Sequence, residues 1–76
     1  MEFKLTTHFQ DRFGQRNINF DHVKQAIKSP DSRKVIFGGR FKVTKKIGDK
    51  TIEVVYYKEQ SKNKKEKYLL ITVYYI

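Results

Sequence analysis

The chain has 76 residues, with 17 Lys and Arg against 8 Asp and Glu, a formal net charge of +9 and no cysteine. That length fits one domain over residues 1–76, able to bury roughly 60% of its unfolded surface. The missing cysteines exclude a disulfide-stapled secreted scaffold and a zinc-thiolate centre. No apolar run is long enough for a signal peptide or a membrane span, so a cytoplasmic protein is expected. Its positive field suits polyanions, nucleic acid before membrane, because neither predicted helix is long, basic and strongly amphipathic.

In chain order, Thr7 with Gln10 three residues on matches a capping box and predicts a short helix over 7–13, stopped by Gly14. Phe9 and Phe13 share its buried face, while His8, Arg12 and, if the turn continues, Arg16 form an adjoining polar stripe. A second helix starts at the N-cap Asn19, with Asp21 in its first turn and a staple between Ile18 and Val23. Phe20, Val23, Ala26 and Ile27 give its apolar stripe, and Pro30 ends it near Ser29.

Strands follow. Residues 33–37 lead into Gly38-Gly39, a hairpin signal; 40–47 alternate; Gly48-Asp49-Lys50 turn again; 51–58 are β-branched and aromatic. Residues 59–66 are all polar and read as a mobile basic loop, and 68–76 form the most apolar strand. The predicted fold class is α+β: two N-terminal helices packed on one face of a four-stranded antiparallel sheet. The more apolar parities, Phe41, Val43, Ile47, Ile52, Val54, Tyr56, Leu69, Ile71, Val73 and Tyr75, are assigned to the helix side.

The opposite parities collect Arg40, Lys42, Lys46, Tyr57 and Tyr68, the predicted RNA-binding residues, with Thr44, Glu53, Thr72 and Tyr74. Such a surface can meet phosphates with its cations and stack the bases of a nucleic acid, RNA first, on its rings, although Thr, Tyr and Lys also furnish the wet face of any antiparallel sheet. No Walker motif, nucleophile elbow or HExxH is present, and two histidines without cysteine predict neither metal nor other cofactor. His8 is the candidate general base, or else an ordinary first-turn histidine. Arg12 and Arg16 suit a phosphate clamp, or pairing with Asp11 or Asp21. Thr72 and Tyr74, two apart on the last strand, offer a hydroxyl pair or plain sheet filling. Glu53 is a base beside Thr72, or a partner of Lys42 or Lys46.

The run Thr6-x-His8-x-x-x-Arg12-x-x-x-Arg16-x-Ile18, with Val23-x-x-Ala26-Ile27, Ser29-Pro30 and the ending Ile71-Thr72-Val73-Tyr74, resembles a small prokaryotic and viral family of unknown function. That family is grouped with RelE-like, BrnT-like and colicin-type ribonuclease toxins. Phe9 stands where its members usually carry alanine. The resemblance implies the two-helix, four-strand toxin fold and metal-independent RNA cleavage by 2′-hydroxyl attack. It assigns the chemistry to His8, Arg12, Arg16 and Thr72, with Tyr74 added as the neighbouring hydroxyl, and a toxin of this kind implies an acidic antitoxin as partner. The alternative is a non-catalytic basic nucleic-acid-binding module or a protein-interaction domain.

Overall fold

A computed structural model describes residues 2–59 and 66–76. The elements are β1 (Glu2–Leu5), α1 (Thr7–Gln15), α2 (Phe20–Lys28), β2 (Ser32–Ile36), β3 (Arg40–Ile47), β4 (Lys50–Glu59) and β5 (Lys67–Tyr75). Most of the polar run at 59–66, residues 60–65, lies outside the described residues. Among the described residues no helix is long and apolar enough to cross a membrane.

The sheet corrects the predicted one. It has five strands in the order β1-β5-β4-β3-β2, and β1 runs parallel to β5. The other pairings are antiparallel, as expected of a meander. β1 escapes a local reading because it is only four residues long and its partners lie more than sixty positions away.

Both turns have a backbone reason. Gly38 and Gly39 sit at φ of 82° and 72° in the β2–β3 connection, and Gly48 at 64° opens the two-residue β3–β4 turn. Glycine enters that region at no steric cost, and glycine first in a two-residue loop marks a type II′ turn, whose twist matches the flanking strands.

The end of α1 is corrected too. Gly14 lies within the helix, which runs on to Gln15. Asn17 takes the left-handed conformation (φ 48°), and the Ile18 N–H reaches back to the Phe13 carbonyl at 3.5 Å. That is a Schellman stop with asparagine in glycine's usual place, and the buried Ile18 seals it.

The N-cap is Thr6, one residue before the predicted one. Its Oγ1 accepts from the Phe9 N–H at 3.1 Å and lies 3.0 Å from the Leu70 carbonyl, to which it donates; its own N–H donates to that carbonyl at 3.1 Å. One side chain thus caps α1 and ties it to β5. Thr6→Ala is expected to cost about 1–3 kcal/mol, a cap plus a tertiary hydrogen bond. Urea unfolding would show this, with Thr6→Ser retaining most of the stability. The second helix follows its signals: Asn19 accepts from the Asp21 N–H at 2.9 Å, and Ser29 is the C-cap before Pro30.

The core lies between the helices and one sheet face. Phe9, Val23 and Ala26 meet Val43, Ile52, Val54, Leu70 and Val73, all fully buried. The aromatic ring at position 9 is therefore absorbed as core. β5 departs from simple alternation: Val55 pairs with Thr72 but Tyr56 with Leu70, so Ile71 is an extra, bulged residue. A bulge reverses the faces of everything on one side of it. Leu69 and Ile71 therefore leave the predicted helix side, and Leu70 and Tyr68 replace them. Tyr68, predicted on the open face, is only 6% exposed and belongs to the core.

Candidate nucleic-acid interface

The register builds the uncovered face row by row. Lys34, Lys42, Val55 and Thr72 stand side by side across β2, β3, β4 and β5. The next row is Ser32, Thr44, Glu53 and Tyr74. Arg40 opposes Ile36, Lys46 opposes Thr51, and Tyr57 opposes Leu69. Eight residues predicted to share this face do so: Arg40, Lys42, Thr44, Lys46, Glu53, Tyr57, Thr72 and Tyr74. Tyr68 does not.

Charge on this face is uneven. Glu53 is 5% exposed and stands 3.2 Å from the Lys42 ammonium, which realises the pairing alternative of the sequence reading. The pair also tempers the like-charge contact between Lys42 and Lys34, which oppose each other directly. Among the described residues Lys34, Arg40 and Lys46 make no ion pair. Close by, Tyr57 is 41% exposed and Phe37, at the β2–β3 tip, is 98% exposed. The sequence reading ended the strand run at Phe37 without giving it a role; β2 stops at Ile36, so Phe37 belongs to the turn.

His8, Arg12 and Arg16 sit elsewhere. His8 and Arg12 ride on α1 and Arg16 is its C-cap, and Phe9 of the same helix is buried in the core on the covered face of the sheet. Among the described residues no hydrogen bond or ion pair joins any of the three to Thr72 or Tyr74. The start of α1 nevertheless lies close to this part of β5, because the Thr6 Oγ1 also reaches the Ile71 carbonyl, next to Thr72, at 3.2 Å. The other histidine, His22, has its Nδ1 3.1 Å from the Tyr75 hydroxyl, which also accepts from the Asn19 N–H at 3.3 Å; the group fastens the start of α2 to β5.

A second basic feature escaped the sequence reading. On the helix side, at the end of the sheet where α2 stops, a groove of about 430 Å³ opens between Lys28, Arg33 and Lys58 over an aromatic floor. Arg33 lies over the Phe41 ring at 4.7 Å, and Lys58 stands 5.9 Å from the Tyr68 ring centre. The Tyr68 hydroxyl donates to Glu66 at 2.8 Å, and Lys58 pairs with Glu66 at 3.5 Å. The legible signal was parity: Lys58 continues the inward series Ile52, Val54, Tyr56, and Arg33 pairs with the buried Val43. A cation at a core-facing position marks a place where the core opens.

Four groups are shifted by these surroundings. Burial, then the Glu66 hydrogen bond and charge, push the Tyr68 phenol up to about 12. Burial also raises Tyr56. The Tyr68 hydroxyl and the Lys58 charge hold the Glu66 carboxyl below its usual range, and the Lys46 N–H, at 2.7 Å, lowers Asp31.

Residues 5–75 match the model of a domain of unknown function, DUF4258. The chain belongs to that family. Neither the curated proteins nor the solved structures hold a match to it. The family description names no activity, so the function of this DUF4258 domain is argued from its surfaces.

The shifts set the pH dependence of the domain. Depressed carboxyls stabilise above their ordinary values of 3.8 and 4.5, and that contribution is lost as pH falls through their lowered ones. A raised phenol stabilises fully below 10.0, and that contribution is lost as pH climbs toward about 12. Melting temperature is therefore expected to fall on either side of a plateau from about pH 5 to 10. Tyr68→Phe should flatten the alkaline limb when melting is followed by circular dichroism; an unchanged limb would assign it to other groups.

Proposed function

We propose that this DUF4258 domain binds single-stranded RNA along the uncovered sheet face. The observation that carries the reading is a set of cations, Lys34, Arg40 and Lys46, that make no ion pair among the described residues and stand on a face over which no described helix packs. These cations suit phosphates, and Tyr57 and Phe37 suit stacked bases. Ser32, Thr44, Thr72 and Tyr74 add hydroxyls that can bond the ribose 2′-hydroxyl, the group that separates RNA from DNA. Such a partner implies the cytoplasm. Binding is favoured over cleavage because, among the described residues, no hydrogen bond or ion pair assembles the residues expected to perform the chemistry.

The test is anisotropy with a 5′-hydroxyl oligouridylate in EDTA, with the RNA run on a gel afterwards. Affinity should fall with salt with a log–log slope of about −2, the release expected from three phosphate contacts on a single strand. A flat dependence would remove the reading. Cleavage that disappears in His8→Ala would replace it with the ribonuclease-toxin reading, whose protein partner is an acidic antitoxin.

A further inference from the structure

We propose that the groove at the C-terminal end of α2 is a separate site for a phosphate monoester, carried by a free nucleotide or by the 5′ end of an RNA strand. It goes beyond the open-face reading, since it lies on the other side of the sheet and uses none of the same residues.

Charge selects the ligand class. Lys28, Arg33 and Lys58 bring three positive charges and Glu66 one negative, an excess of two. A phosphodiester inside a strand carries a single charge, whereas a phosphate monoester carries about −1.5 to −2 at neutral pH. The excess therefore matches a terminal phosphate better than an internal one.

Geometry supports the same ligand. The Arg33 guanidinium lies over the Phe41 ring at 4.7 Å, and among the described residues no carboxylate pairs with it. A guanidinium without a carboxylate partner has its N–H groups available for two parallel bonds to phosphate oxygens. Glu66 holds Lys58 in position at 3.5 Å. Tyr56 and Tyr68 complete the aromatic lining of the groove beside Phe41. The volume lies within the ~300–1,000 Å³ of small-molecule sites, enough for a nucleotide rather than a bare phosphate.

Three probes are titrated against the wild-type chain: a 5′-hydroxyl oligouridylate, the same strand with a 5′-phosphate, and AMP. The 5′-phosphate is expected to tighten binding about tenfold, the worth of charge-assisted bonds to a doubly charged group. Arg33→Gln should abolish that gain and leave the 5′-hydroxyl strand unaffected; Lys28→Gln, at the exposed helix end, should reduce it and covers the case of a poorly folded Arg33 variant. A gain with the strand but no AMP binding assigns the site to strand ends, and AMP binding alone assigns it to free nucleotides. No gain together with no AMP binding, or a gain that both variants retain, overturns the proposal. Loss of 5′-hydroxyl strand binding would sink the open-face reading and leave the AMP arm to decide the groove.

Discussion

Replacing Phe9 by alanine is expected to remove about 3–5 kcal/mol of unfolding free energy. Phe9 is fully buried, stacks on Phe13 at 6.0 Å between ring centres and joins α1 to the sheet core. The ring also lies within one turn of the Thr6 cap, so a collapse around the vacated space would disturb the bonds from Thr6 to Leu70. A domain of this length holds roughly 4–11 kcal/mol in total. The loss is a large fraction of that total, so the urea midpoint followed by circular dichroism should fall steeply. Phe37→Ala removes an identical ring from the exposed tip and should change stability by less than about 0.5 kcal/mol. Equal losses from the two variants would mean that the core is not where the structure puts it.

The second large effect concerns binding. Changing Lys34, Arg40 and Lys46 together to glutamine is expected to weaken single-stranded RNA binding roughly a hundredfold at low salt and to bring the salt slope close to zero, since each phosphate contact on a single strand contributes about 0.7 to it. These side chains take part in no ion pair among the described residues, so the fold should be unaffected. The control removes the same number of charges from the helices and the C-cap of α1, through Arg12→Gln, Arg16→Gln and Lys24→Gln. If net charge alone drove association, both triple variants would weaken it alike. If the uncovered face is the contact, only the first does. Lys42 is left in place in both, because its loss would strand the buried Glu53 carboxylate and confuse folding with binding.

Much of this molecule could be read from short stretches of chain. Asn19 and Pro30 bracket α2, two glycine turns divide the meander, and strict alternation through β3 sends Arg40, Lys42 and Lys46 to one side. In each case the energy resides in neighbours a few residues apart: a cap, a positive φ, a pleat. The tertiary structure decided the remainder. β1 exists as a strand because β5 lies beside it, and nothing within Glu2–Leu5 announces a partner so distant in the chain. One extra residue at Ile71 turned Tyr68 from the open face into the core, and no composition rule locates a bulge. Packing of Phe9 placed α1, with His8 and Arg12, on the covered face of the sheet, and the end of α2 left Arg33 and Lys58 lining an open groove. Local propensities choose elements and turns; which side chains meet depends on register and layer, and these are settled only when distant strands pair and bury a common face.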